Sequence, residues 1–232
     1  MSEVAGFPGE QTPPRAGLRL LTALLTTTVA GAALVAVVAA PRAAAAPCPD
    51  VEVVFARGTA EPAGPGRVGE AFAAALRNTL GGRTVELYGV EYPASYDFLT
   101  TAAGATDASA RIAATTAACP GTRFVLGGYS QGAAVVDMLA GVPPLGDKVG
   151  TIGSAPPLAA AAAAKISAAA VFGNPSTKFG APINTTGLFA GRGVDLCNDG
   201  DPICSDGRNP FAHRSYEGEP AAQAAGFVAA LV

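Results

Sequence analysis

Residues 122–132, TRFVLGGYSQG, constrain this chain more than any other stretch. β-Forming residues enter a G-x-S-x-G pattern, Gly128-Tyr129-Ser130-Gln131-Gly132, and a helical run leaves it. A serine in that pattern sits on a tight turn from strand to helix. A glycine two residues to either side keeps side chains from striking the neighbouring strands. The turn lifts the serine oxygen clear of the sheet and aims the next helix N-terminus at charge developing beside it. In a chain with 29 glycines the bare pattern is weak, and an ordinary strand-to-helix turn with a surface serine would also produce it. Its weight comes from the strand before it and the helix after it.

The rest of the chain alternates in the same way. DVEVVFAR at 50–57 reads as a strand, followed by a Gly/Pro loop at 58–66. A helical pattern at 68–80 places Phe72, Ala75, Leu76 and Leu80 on one side. A second strand is expected at 84–90, an Ala-rich helix at 101–118, a third strand at 122–128 and a helix at 131–139. Residues 145–164 are less legible, because Gly and Pro give way to an alanine tract that suits a surface helix or a connector. AAAVFG at 168–173 reads as a strand, a short strand is expected near Leu188 and Phe189, and an amphipathic helix at 223–231 closes the chain. Strands alternating with helices imply an α/β fold with a parallel sheet covered on both faces. Half of the residues are hydrophobic, alanine supplies much of that share and Trp is absent. The core should therefore be built from small aliphatic side chains and a few Phe.

The N-terminus belongs to a different class of segment. Arg15 and Arg19 precede an uncharged apolar run at 20–40, and alanines at 43–46 suit cleavage. This layout assigns 1–46 to a secretory signal peptide and 47–232 to one folded domain, outside the cell or at the cell wall. The apolar run is long, so an uncleaved membrane anchor is the competing reading. Pro47 directly before Cys48 argues against a lipid anchor. Cys48, Cys119, Cys197 and Cys204 all follow the signal, and an even number in an exported chain points to two disulfides. Joining Cys197 to Cys204 closes a small loop rich in Asp, Asn, Gly and Pro and leaves Cys48 for Cys119. A zinc site is disfavoured, since there is no C-x-x-C spacing and His213 is the sole histidine. The formal charge of −3 lacks the basic excess of a nucleic-acid binder, so no nucleic-acid partner is expected.

A nucleophilic serine needs a base, and only His213 is available. Its place downstream, before the last helix, fits the order nucleophile, acid, histidine of the α/β-hydrolases. The acid then lies among Asp137, Asp147, Asp195, Asp199, Asp201 and Asp206. Asp137 falls inside the helix after the serine and Asp147 in a Pro/Gly turn. That leaves the cysteine-flanked loop, where composition does not choose between Asp199 and Asp201. A calcium loop beginning at Asp195 fails because Cys197 would occupy its third, oxygen-donating position. The amide of Gln131 is one candidate oxyanion donor. A second is expected from the loop after an earlier strand, where Arg57-Gly58-Thr59 stands.

FARGTAE at 55–61, GGYSQGA at 127–133, VFGNPS at 171–176, CNDGDPIC at 197–204 and His213 resemble, in order and spacing, the cutinase family, including its mycobacterial members. The resemblance implies a five-stranded, mostly parallel α/β-hydrolase sheet flanked by helices, without a large lid. It implies hydrolysis of short to medium carboxylic esters, with Ser130 as nucleophile, His213 as base and Asp201 as acid. It also implies Gln131 and Thr59 at the oxyanion, and disulfides joining Cys48 to Cys119 and Cys197 to Cys204. No metal or organic cofactor is expected. The expected partner is an ester or lipid substrate, met by a monomer associated with the cell envelope. Phospholipids, acyl thioesters and acetylated polysaccharides would use the same residues, and a catalytically silent envelope-lipid binder is the reading from another class. Residues 145–164 are longer than in fungal relatives, which leaves substrate preference open.

Overall fold

Every residue of strand β1 (Val51–Ala56) is buried, and its two faces feed two separate cores. Val51, Val53 and Phe55 enter one and Val54 and Ala56 the other, the period-two alternation of a strand with no solvent face. The computed structural model describes residues 47–146 and 152–232. The expected signal at 1–46 and part of the 145–164 segment lie outside the described residues. In chain order there follow α1 (Gly66–Leu80), β2 (Val85–Gly89), α2 (Thr101–Ala118), β3 (Arg123–Tyr129) and α3 (Gln131–Ala140). Then come α4 (Ala160–Ala163), β4 (Ile166–Phe172), α5 (Pro175–Lys178), β5 (Gly193–Leu196) and α6 (Glu219–Ala229). The sheet runs β2-β1-β3-β4-β5, and all four pairings are parallel.

Helices α1 and α6 pack together over one core, and α2 and α3 over the other. Phe55, Phe72 and Phe172 meet in the first core with ring centroids 5.9–6.3 Å apart. Around them the side chains are small: Ala168 and Ala170 of β4 enter this core and Ala169 the other, all fully buried. The chain runs from β1 to β2 at one side and then crosses to β3 at the other. Brought to the carboxyl ends of β1 and β3, that reversal opens the crevice in which parallel sheets place their ligands.

Most boundaries agree with the sequence reading within a few residues, and one element does not. Residues Leu188 and Phe189 form a 3-10 turn, Gly187–Phe189, and the fifth strand is Gly193–Leu196. The apolar pair suggested a strand, but Phe189 is wholly buried in the α2/α3 core and anchors the turn there. The closing helix begins at Glu219, four residues before the apolar pattern becomes evident, with Pro220 in its first turn. Disulfides join Cys48 to Cys119, tying the start of the domain to the end of α2, and Cys197 to Cys204 after β5.

Candidate active site

Ser130 stands between β3 and α3 with φ 55° and ψ −117°, a conformation that a non-glycine residue adopts only under constraint. The constraint is visible. The Ser130 amide donates to the Phe172 carbonyl of β4 at 2.9 Å, and the glycines around it admit no side chain. A Cβ on Gly132 would lie 1.9 Å from the Ala56 carbonyl oxygen, and one on Gly128 would lie 2.2 Å from that of Gly132. The motif's spacing is thus the spacing at which the Ser130 turn touches β1 and its own helix.

His213 lies on a 3-10 turn (Ala212–Arg214) reached from the cysteine loop. Its Nε2 is 2.9 Å from Ser130 Oγ and its Nδ1 is 2.7 Å from Asp201 Oδ2. The ring stacks on Tyr129 with centroids 5.1 Å apart, and the Tyr129 hydroxyl donates to the His213 carbonyl at 2.6 Å. Burial pushes the Tyr129 phenol up to about 12, so it remains a donor. Gly173, with φ +57°, passes beneath the imidazole; a Cβ there would come within 2.8 Å of it. Asn198 holds the loop from below, donating through Nδ2 to the carbonyls of Ala212 and Ser215, each at 2.9 Å.

Asp201 is wholly shielded from solvent. Besides His213, its carboxylate accepts from the Tyr216 hydroxyl at 2.6 Å and the Ile203 amide at 2.8 Å. Burial alone would raise its pKa; the bonds from His213, Tyr216 and Ile203 outweigh that and hold it below the ordinary value. Asp199 is exposed and makes no side-chain hydrogen bond among the described residues, and Asp206 is solvated. Tyr216, Tyr129 and Asn198 carried no signal in the sequence reading. Tyr216 is three residues beyond His213, a spacing that means nothing until the loop is folded.

On the opposite side of Ser130, the backbone amides of Thr59 and Gln131 donate to no other backbone carbonyl among the described residues. The Thr59 hydroxyl donates to Gln131 Oε1 at 2.9 Å, and Gln131 Nε2 donates to Thr101 Oγ1 at 2.9 Å. Arg57, which precedes this loop, donates to the carbonyls of Glu61, Val90 and Tyr92 and fixes its course. A cleft of about 850 Å³ opens over Ser130 and His213, with Tyr96, Phe98, Leu145, Ile152 and Ile203 as an apolar wall. Arg67 and Arg214 also line it, and Arg67 is paired with Glu61 and Glu217. No group of three or more His, Cys, Asp or Glu suited to a metal occurs among the described residues.

Residues 47–232 match the sequence model of a family described as Cutinase. Phospholipase Culp4 of Mycobacterium tuberculosis is 48% identical over 220 residues, 94% of this chain and 95% of that protein. Carboxylesterase Culp1 of the same organism is 43% identical over 226 residues, 93% of this chain and 96% of that one. Among solved structures, the Trichoderma reesei cutinase in complex with a C11Y4 phosphonate inhibitor superposes with a TM-score of 0.64 at 38% identity, covering 80% of this chain and 77% of that one.

Proposed function

The chain belongs to the cutinase family and is a carboxylic ester hydrolase, and from that membership we propose that it hydrolyses short to medium acyl esters through Ser130, His213 and Asp201. One observation carries the reading: an unbroken line of two hydrogen bonds, 2.7 and 2.9 Å, from a solvent-shielded carboxylate through the imidazole to the serine. Asp201 accepts a hydrogen bond from Nδ1–H, which keeps the proton on Nδ1 and leaves Nε2 as a base toward Ser130. Ser130 Oγ attacks the ester carbonyl carbon while Nε2 takes its proton. Thr59 and Gln131 stabilise the oxyanion. Collapse expels the alcohol, which receives the proton from His213. Water then attacks the acyl-enzyme by the same route and frees the acid and the serine.

The apolar wall beside Ser130 suits an acyl chain, and the open mouth suits a bulky alcohol or polymer. A phospholipid is the second reading, favoured by Arg214, which lines the cleft without a carboxylate partner among the described residues. The two disulfides and the signal-like segment at 1–46 support action in an oxidising, extracytoplasmic setting.

Ser130→Ala tests the mechanism. It should keep the fold and lose on the order of 10⁴-fold or more in turnover of a soluble short-chain ester. A fluorophosphonate should label the parent at Ser130 and leave the variant unlabelled. Activity retained within about tenfold would remove Ser130 from the chemistry, since loss of a nucleophile costs far more. A lipid-binding protein without hydrolytic action would show no labelling of the parent.

A further inference from the structure

Thr101 is the first residue of α2 and is wholly shielded from solvent. Its hydroxyl oxygen accepts from Gln131 Nε2, and no acceptor for its own proton lies within hydrogen-bond reach among the described residues. At the other end of the same carboxamide, the half-buried Thr59 hydroxyl faces the cleft and gives its one proton to Gln131 Oε1. With the carboxamide in that orientation, a buried donor goes unused while the donor beside the reacting carbonyl is consumed. The opposite polarity gives the buried Thr101 proton an acceptor and frees the Thr59 proton. The two ends of a carboxamide have almost the same shape, so turning Gln131 over leaves both 2.9 Å distances in place. Thr101 then donates to Oε1, Nε2 donates to Thr59, and the Thr59 proton becomes available to an oxyanion.

We propose that Thr101 is a positioning residue of the oxyanion site: through the Gln131 carboxamide it directs the Thr59 hydroxyl proton toward the substrate. The inference rests on the reading of Ser130 and Thr59 given above. It adds a residue that touches no substrate, and it explains why a polar side chain occupies a fully buried position at the start of α2. Developing charge on the carbonyl oxygen favours the donating polarity, because a charge-assisted bond is about twice as strong as the neutral one it replaces. A chain of three groups transmits that preference inward to a partner that can donate. Valine at 101 has the shape of threonine and no proton to give, so the carboxamide would lose the contact that holds it turned over.

The test is a two-residue cycle on a soluble ester and on the matching thionoester, whose sulfur is a poor hydrogen-bond acceptor. Thr59→Val should lower kcat for the oxygen ester on the order of 10²-fold, the usual cost of one oxyanion donor. Thr101→Val should lower it about tenfold, less than direct removal of a donor. KM should move by less than about twofold and thionoester turnover by less than about threefold, as expected where only transition-state stabilisation is lost. Thr101→Ser should restore kcat. On the Thr59→Val background, Thr101→Val should add less than about twofold, because both changes act through one hydroxyl. Thr101→Ala gives the same reading should valine not be accommodated. The proposal is overturned by a folded Thr101→Val or Thr101→Ala enzyme with parental kcat, by equal losses on both substrates, or by a full additional loss on the Thr59→Val background. A parental kcat in Thr59→Val would overturn it too. Failure of Ser130→Ala to abolish activity would instead remove the mechanism beneath it, so the two failures are separable.

Discussion

Asp201 and Asp137 are equally hidden from solvent, and their surroundings treat a negative charge in opposite ways. Asp201 lies in a loop, meets donors from His213, Tyr216 and the Ile203 amide, and is held below the ordinary carboxylate range against the pull of burial. Asp137 lies on α3, two turns beyond Ser130. Its Oδ1 accepts from Asn174 Nδ2 at 3.2 Å, but its Oδ2 has no partner among the described residues. Burial pushes its carboxyl well above the ordinary range, and the Asp195 carboxylate adds to the shift against the bond from Asn174. Asn174 Nδ2 also donates to Asp195 at 2.9 Å, so one amide group serves two acids. The difference teaches that burial alone does not decide a carboxyl's state; the number of donors aimed at it does. One pocket favours a charge on its carboxyl, and the other disfavours a charge on an acid that ties α3 to the loop after β4.

The largest expected effect is at the charged site. Asp201→Asn replaces an acceptor by an amide that favours the wrong imidazole tautomer, and turnover near neutral pH should fall up to about 10⁴-fold. The measurement is steady-state hydrolysis of a soluble ester after checking the fold and both disulfides. Parental turnover would break the comparison, because the donors around Asp201 would then serve stability alone. Their contribution to stability has a definite sign. A carboxyl held low in the fold stabilises it above the unfolded value of 3.8, and that stability is lost as pH falls through the lower folded value.

Ser130 and His213 were legible because one sits in a five-residue pattern and the other has no competitor in the chain. Asp201 became legible only through resemblance, since two aspartates of one loop differ in burial and not in composition. The supporting residues were not legible at all. Tyr216 is 15 residues from Asp201, Thr101 is 30 from Gln131, and Asn174 is 37 from Asp137. Such contacts are set by which helix crosses which strand, and periodicity carries no trace of them. The central strands β1, β3 and β4 were readable because burial on both faces leaves largely apolar runs. That rule misled at Leu188 and Phe189, where a buried Phe anchors a turn, while β5 has only partly buried residues beyond Gly193 and a weak signal.

A smaller effect is expected at Asp137. Asp137→Asn keeps an acceptor for Asn174 and replaces the titrating oxygen by an amide that carries no charge at any pH. An acid with a raised folded pKa binds more protons when folded, so its stability falls as pH rises from the unfolded value of 3.8 toward the folded one. The variant should therefore gain on the parent with rising pH over that window, by up to about 1.4 kcal/mol for each unit of pH. Urea unfolding at several pH values, with disulfides intact, measures the difference. A gap between the two proteins that does not change with pH would show that Asp137 titrates normally, and the contrast with Asp201 would vanish. Turnover at neutral pH should stay near the parental level, because Asp137 touches neither the imidazole nor the serine.

The smallest effect sharpens the comparison by removing position in the loop as its cause. Asp199 shares the Cys197–Cys204 loop with Asp201 and differs from it in one respect that matters: it faces solvent and receives no hydrogen bond among the described residues. Water already solvates its charge, so an amide in its place changes little. Asp199→Asn should retain ester turnover within about twofold and shift stability no more than other surface changes do. Measured beside Asp201→Asn on the same ester, it separates the effect of losing a carboxylate from that of disturbing the loop. If Asp199→Asn were the crippled variant and Asp201→Asn the active one, the acid would belong to the exposed residue. The buried donors around Asp201 would then need another purpose. Equal losses in both variants would point to the loop's shape, because a change that acts through shape does not distinguish a shielded carboxylate from a solvated one.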